Sequence, residues 1–203
     1  IAGVNDAAVI TGTSVGSVTE DGAVTTSGSL TATDVDSAAG FTAANASGTY
    51  GDFAIDAAGT WTYTLRNADA NVQALTSGSY PTETFTVATA DSTTRVITVT
   101  VKGANEAPTA AITPASGLED TPIPVTLTGS DVDGSITSFT ITALPANGTL
   151  SFNGVALAVG ATVPATTNGA TLSFTPNADW NGSTSVSFTA ADNERAVSAP
   201  VTQ

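Results

Sequence analysis

Apolar and polar residues alternate along much of the chain, which is the period of a half-buried β-strand. The segment RVITVTV (95–101) places Ile97, Val99 and Val101 on one face, and TWTYTL (60–65) has the same alternation. Further segments with this pattern lie at 52–55, 84–90, 125–127, 138–142, 149–152, 171–174 and 185–190. Glycine, Asn-Gly and aspartate clusters separate them, as turns require. The pattern predicts an all-β protein.

The same residue pattern gives two local predictions. The stretch DAAG (56–59) predicts the turn of a hairpin. The segment NADANVQAL (67–75) breaks the alternation and predicts one short helical turn. Trp61 and Trp180 are interpreted as core or corner packing rather than as sugar-stacking platforms.

An internal repeat organises the chain. Four acidic landmarks recur in the same order about 100 residues apart, which is the size of an immunoglobulin-type sandwich. They are the pairs NDAA and NEAP at 5 and 105, TEDG and LEDT at 19 and 118, the two Asp-Val-Asp triplets at 34–36 and 131–133, and Asp91 and Asp192. The repeat predicts two tandem antiparallel β-sandwiches of the immunoglobulin or cadherin-like type, covering 1–104 and 105–203.

Composition narrows the chemistry. Lys and Arg number 4 against 18 Asp and Glu, for a formal charge of −14, which disfavours a nucleic-acid partner. Cysteine and histidine are absent, so thiolate metal sites and Ser-His-Asp triads are excluded. We therefore expect no enzymatic activity. The sequence has no run of about 18 apolar residues, so it does not predict insertion into a membrane. The chain reads as part of a longer extracellular protein.

The strand order of such a sandwich places the acidic landmarks at the domain ends. At the end where the chain enters domain 1, we expect Asn5, Asp6, Asp34, Asp36 and Asp91 to converge. At the junction of the two domains, we expect Glu20 and Asp21 to face Asn105, Glu106, Asp131, Asp133 and Asp192. Asp21 is the weaker candidate of its pair.

These carboxylates repel one another unless a cation joins them. On a strand, the i and i+2 side chains of each Asp-Val-Asp triplet point to one side. Carboxylate, amide and main-chain oxygens are the ligands of Ca²⁺, which takes about 6 to 8 of them. We therefore predict Ca²⁺ sites at the domain ends. The simpler interpretation of each triplet is a solvated strand end or an Asx-turn.

The residues resemble a known class of protein. The segments at 16–37, 50–75 and 83–108 closely resemble the VCBS repeat of giant bacterial surface adhesins. The segments EDTPIPVTLTGSDVDG (119–134) and 172–193 resemble the related cadherin-like tandem repeats of RTX-type adhesins. Two residues depart from the usual linker: Glu106 stands where Asp is usual, and Ala8 where Pro is usual.

The resemblance implies a function. It implies tandem modules with Ca²⁺ at their junctions, type I secretion from a Gram-negative bacterium to the cell surface, and roles in adhesion and biofilm formation. The function favoured is a calcium-rigidified extender, with neighbouring repeats of the same polypeptide as partners and any cell-surface or substratum ligand elsewhere in the full protein. The alternative is that one of these modules itself binds a glycan or a surface.

Overall fold

The computed structural model describes residues 4–36 and 38–203. The chain forms two compact units, one ending at Ala104 (unit 1) and one beginning at Asn105 (unit 2). Each unit is built from two β-sheets that share a hydrophobic core, so the predicted all-β fold is confirmed. The described residues contain no α-helix, and thus no helix long and apolar enough to cross a membrane.

Unit 1 is formed by strands β1 to β8. They are β1 (Val9–Gly12), β2 (Val15–Thr19), β3 (Thr25–Thr33), β4 (Ala44–Ser47), β5 (Gly51–Ile55), β6 (Thr60–Leu65), β7 (Thr82–Ala88) and β8 (Thr94–Lys102). One sheet has the order β1-β3-β6-β5-β4 and the other β2-β8-β7. The pairing of β2 with β8 is parallel, which differs from the purely antiparallel sheets that the repeat predicts.

The alternating residues of unit 1 fill its core. Trp61, Ile97 and Val99 are fully buried, as the period-2 pattern predicts. Trp61 lies against Gly28 of the neighbouring strand, where a Cβ atom would come within 2.6 Å of the indole ring. The missing side chain of Gly28 therefore makes room for the largest residue of the core.

Unit 2 is formed by strands β9 to β17. They are β9 (Thr109–Ile112), β10 (Ile123–Ser130), β11 (Ile136–Ala143), β12 (Gly148–Phe152), β13 (Val155–Ala156), β14 (Thr162–Pro164), β15 (Gly169–Pro176), β16 (Ser187–Asp192) and β17 (Val201–Thr202). The sheet orders are β13-β12-β15-β10-β9 and β14-β11-β16-β17. Phe139, Ile141 and Phe188 are fully buried between the sheets, and Trp180 packs edge-on against Phe174.

Some details differ from the sequence predictions. Both Asp-Val-Asp triplets lie in bends directly after a strand rather than on it, so the strand argument for their common direction does not apply. Two other local predictions are confirmed. The segment 67–75 forms turns that include one helical turn, in which the N–H of Gln73 donates to the carbonyl of Asp69. The predicted turn at 56–59 joins β5 and β6.

Candidate functional site

The triplet of unit 1 uses its carboxylates as hydrogen-bond acceptors. Asp34 Oδ1 accepts the N–H of Asp36 at 3.1 Å, which is an Asx-turn. Asp36 Oδ2 accepts the N–H of Asp6 at 3.0 Å. The structure thus brings Asp6, Asp34 and Asp36 together, and Asn5 donates its side-chain amide to the carbonyl of Asp6. This triplet fastens the start of unit 1.

Asp91 also binds the N-terminal segment, at Ala8. Its carboxylate accepts hydrogen bonds from the N–H of Ala8 at 2.9 Å, from both the N–H and the hydroxyl of Thr93, and from the hydroxyl of Thr89. The Thr89 and Ala8 bonds, with those from Thr93, hold the pKa of Asp91 well below its usual range. Asp91 is therefore ionised and fully engaged by unit 1 itself.

Glu20 and Asp21 lie near the last residues of unit 1. Glu20 is buried, and its carboxylate accepts from the Gln73 side-chain amide and from the N–H of Ala104, both at 3.1 Å. Asp21 is exposed and exchanges two hydrogen bonds with Asn67. That Glu20 and Asp21 face residues of unit 2 stays a prediction.

Asp192 is the counterpart of Asp91 in unit 2. It is 2 % exposed. One carboxylate oxygen accepts the N–H groups of Glu194 and Ala196, and the other accepts the Asn105 side-chain amide at 2.9 Å. The Asn105 amide also donates to the carbonyl of Glu106, as Asn5 does to Asp6. Asp192 therefore fixes the linker residue with which unit 2 begins.

The triplet of unit 2 has no such donors. All four carboxylate oxygens of Asp131 and Asp133 are buried, and none has a hydrogen-bond partner within the described residues. Loss of hydration raises the pKa of Asp133, the neighbouring Asp131 carboxylate raises it further, and the backbone of Glu106 opposes the rise too weakly to cancel it. Two carboxylates with buried oxygens therefore lie beside each other here, and only the backbone of Glu106 and of Asp133 itself offsets their repulsion.

Asn193 belongs to the same site, although the sequence analysis missed it. A Cβ atom on Gly134 would lie 2.7 Å from Asp131 Oδ2 and 2.5 Å from Asn193 Oδ1, so both oxygens approach Gly134 closely. Asn193 Oδ1 accepts the N–H of Ser135 at 2.7 Å. Its position directly after Asp192 is the signal by which the sequence could have indicated it.

The oxygens at this end of unit 2 fit Ca²⁺. Buried carboxylates without donors, together with an amide oxygen, form a hard-oxygen donor set that suits Ca²⁺ rather than a transition metal. Within residues 4–36 and 38–203, however, no three carboxylate, histidine or cysteine side chains form a group able to hold a metal ion. The remaining ligands would have to be amide oxygens, main-chain oxygens or water.

Unit 1 contains a second buried carboxylate that the sequence analysis missed. Glu83 accepts hydrogen bonds from the hydroxyl of Tyr63 and from the backbone N–H groups of Thr49 and Tyr50. Burial, and then the Glu83 carboxylate, raise the pKa of Tyr63 strongly. Glu83 alternates with Phe85 and Val87 on the inward face of β7, and this register was the available signal.

Comparisons with known protein families support a tandem arrangement. The model of the bacterial cadherin-like domain matches residues 5–103, and the model of the bacterial Ig domain matches residues 105–202. The cadherin-like match thus falls on the first domain, whereas the sequence analysis placed that resemblance on the second. Both families are structural and adhesion domains, typically on extracellular surfaces, rather than enzymes. No curated protein matches the sequence.

Solved structures agree on the fold. Extracellular cadherin domains 3–6 of protocadherin gamma B2 are 15% identical with a TM-score of 0.52, covering 97% of this chain and 46% of that one. The extracellular domain of protocadherin gamma B4 is 16% identical with a TM-score of 0.52, covering 98% of this chain and 32% of that one. This chain therefore spans less than half the length of either structure, and the likeness concerns the fold alone.

Proposed function

We propose that this pair of domains, a bacterial cadherin-like domain followed by a bacterial Ig domain, is an extender segment of a large bacterial surface adhesin stiffened by Ca²⁺. Its role is to project an adhesive part of the protein away from the cell, in a chain of similar repeats. The further attributes of secretion by a type I system, a Gram-negative source and a role in biofilms rest on the sequence resemblance alone.

The observation that carries the proposal is the pair of buried carboxylates at Asp131 and Asp133. Two facing carboxylates without donors destabilise a folded domain unless a cation is present. A domain selected for stability alone would place hydrogen-bond donors beside these carboxylates. The equivalent triplet at 34–36 has such donors. We propose that Ca²⁺ supplies the missing charge, with Asp131, Asp133 and Asn193 as ligands.

The position of the linker explains how an ion at this site would stiffen the chain. The side-chain amide of Asn105 donates a hydrogen bond to Asp192, and the backbone of Glu106 lowers the pKa of Asp133. The first residues of unit 2 therefore lie beside the carboxylate pair. An ion bound there orders the residues that follow Ala104 and so reduces the freedom of the linker. We further propose that Glu20 and Asp21 of the preceding domain contribute ligands to the ion.

Calorimetric titration with CaCl₂ tests the metal site. We expect dissociation constants of about 10⁻⁴ to 10⁻³ M, the range of extracellular Ca²⁺ modules. The double variant Asp131→Asn/Asp133→Asn should lose at least about tenfold in affinity, since it removes both charged ligands. The matched control, Asp34→Asn/Asp36→Asn, alters carboxylates that already have donors and should change affinity much less. Equal binding by all three proteins would refute the site.

Small-angle scattering tests the extender function separately. The chain in EDTA should give a broad distribution of dimensions, and millimolar Ca²⁺ should narrow it to one elongated form. The variant Asp131→Asn/Asp133→Asn should keep the broad distribution in Ca²⁺. If Ca²⁺ binds but leaves the scattering profile unchanged, the metal site stands and the stiffening function is wrong.

A further inference from the structure

Four asparagines of unit 2 are followed by a glycine, and this dipeptide can modify itself. They are Asn147, Asn153, Asn168 and Asn181. The main-chain nitrogen of the glycine attacks the side-chain carbonyl carbon of the asparagine, ammonia leaves, and a succinimide ring forms. Water then opens the ring at either carbonyl and yields aspartate or isoaspartate. Glycine favours the attack because no Cβ atom crowds its nitrogen.

Local structure decides which of these dipeptides reacts. The attack needs a free side-chain amide, a glycine N–H without a hydrogen bond, and a backbone that can turn until the two groups meet. Hydrogen bonds and strand pairing oppose each of these, so reactivity follows the free energy of local opening. Asn147, Asn153 and Asn168 each adjoin a strand and share a left-handed backbone, with φ of 58°, 51° and 60°. Their surroundings can therefore be compared directly.

Asn168 is held by hydrogen bonds at both of its reacting groups. Its Oδ1 accepts the N–H of Ile136 at 2.9 Å, and its carbonyl accepts the N–H of Gly129 at 2.9 Å. The N–H of Gly169, which would carry out the attack, donates to the carbonyl of Thr166 at 3.1 Å. Reaction at Asn168 therefore requires these bonds to break first.

Asn147 is held by the sheet. Its carbonyl accepts the N–H of Asn177 at 2.8 Å, and Gly148 is the first residue of β12, where it pairs with Pro176. Gly148 also packs against Phe174, since a Cβ atom on Gly148 would lie 2.4 Å from that ring. The backbone of this dipeptide therefore cannot turn without disturbing the pairing of β12 with β15.

Asn153 has neither restraint. Asn153 and Gly154 form the two-residue turn between β12 and β13, and both residues are exposed. Within the described residues, no hydrogen bond is made by the Asn153 side chain or by the N–H of Gly154. A Cβ atom on Gly154 would have no neighbour within 4 Å. Because β13 is a two-residue strand at the edge of its sheet, the turn opens at small cost.

We propose that Asn153 is a self-modifying residue, which converts in the folded protein to aspartate and isoaspartate with water as the co-reactant. The product carries one more negative charge, because a carboxylate replaces the amide and ammonia is released. Residues 134–178 contain no charged side chain, so this carboxylate is the first in that part of unit 2. It lies next to Val155, which is 68 % exposed on the edge strand, and a charge there opposes pairing of the edge with another chain.

Incubation of the full chain at mildly alkaline pH in heavy-oxygen water tests this proposal. Ring opening takes up one oxygen from the solvent, so each converted asparagine is marked by its mass. Chymotrypsin cleaves after Leu150, Phe152, Leu157 and Leu172, which places the three asparagines in separate peptides for mass spectrometry. The same chain unfolded in guanidinium chloride is the matched control, because it keeps the three dipeptides and removes their folded surroundings.

In the folded protein, Asn153 should convert at least about tenfold faster than Asn147 and Asn168. In guanidinium chloride, the three rates should agree to within about threefold. Equal rates in the folded protein, or no reaction of Asn153 there, would overturn the proposal, because conversion would then need global unfolding. A preference for Asn153 that persists unchanged after unfolding would also overturn it, since the neighbouring residues in the sequence would then set the rate.

Discussion

The two Asp-Val-Asp triplets have the same sequence and a similar place after a long strand, yet their surroundings differ. At 34–36, the carboxylates accept N–H groups from Asp36 and Asp6, and they organise the start of unit 1. At 131–133, the carboxylates are buried without a hydrogen-bond donor in the described residues. The same motif thus accepts hydrogen bonds from its own domain in one case, whereas in the other its four carboxylate oxygens are buried without such bonds.

The Glu-Asp pairs show the opposite contrast. Glu20 of unit 1 is buried and bonded to Gln73 and Ala104, whereas Glu119 of unit 2 is exposed. A repeated acidic landmark therefore does not identify its role. The role of each acidic residue depends on the hydrogen-bond donors that the rest of its domain places beside it. Substitutions at equivalent positions of the two units test this dependence one pair at a time.

The largest effect is expected from Glu20→Ala. The substitution leaves the Ala104 N–H without its acceptor and removes one of the two acceptors of the Gln73 amide, which should cost unit 1 about 1 to 3 kcal/mol of unfolding free energy. Glu119→Ala, the matched exposed position, should change unit 2 by less than about 0.5 kcal/mol. Urea unfolding followed by hydrogen exchange in each unit gives both values, and similar costs would contradict the contrast.

A smaller effect of opposite sign is expected at the second triplet. In EDTA, Asp131→Asn/Asp133→Asn should stabilise unit 2 by about 1 kcal/mol, because it removes the repulsion between two buried charges. In millimolar Ca²⁺, the order should reverse, since the variant loses its ligands. Thermal melts of both proteins in both conditions show the crossing, and a variant that is less stable in EDTA would disprove the repulsion.

The smallest effect concerns pH and Asp91. Its pKa is lower in folded unit 1 than in the unfolded chain, so the ionised carboxylate stabilises unit 1 above about pH 4. This contribution is lost as the pH falls through the folded pKa. The stability difference between the protein and Asp91→Asn should therefore be constant above about pH 5 and shrink steadily as the pH falls below about 4. Exchange rates of Val99 and Val101 report it, and a constant difference would show that ionisation is unimportant.

Much of the fold could be predicted from local patterns. The alternation around Ile97 and Trp61 predicts both the strands and the buried residues, because the face of the sheet to which a side chain points depends only on its position in its own strand. The order of strands then indicates which acidic residues share a domain end, and Asp6 does meet Asp36. The bends at 34–36 and 131–133 were not predictable in this way, since the chain leaves the strand there.

The electrostatic details could not be predicted from one sequence. Whether Asp131 or Asp36 finds a donor depends on where distant segments place their N–H groups. Glu83 meets Tyr63 only because β7 and β6, which belong to different sheets, face each other across the core. The parallel pairing of β2 with β8 depends equally on contacts between residues more than 80 positions apart.

That parallel pairing has a mechanical consequence. The chain approaches β2 from its N-terminal side and leaves β8 from its C-terminal side, so tension along the polypeptide pulls the two strands in opposite directions. The pairs from Val15–Thr98 to Thr19–Lys102 are then loaded together in shear and must break together. This parallel pair therefore makes unit 1 resist extension along the chain.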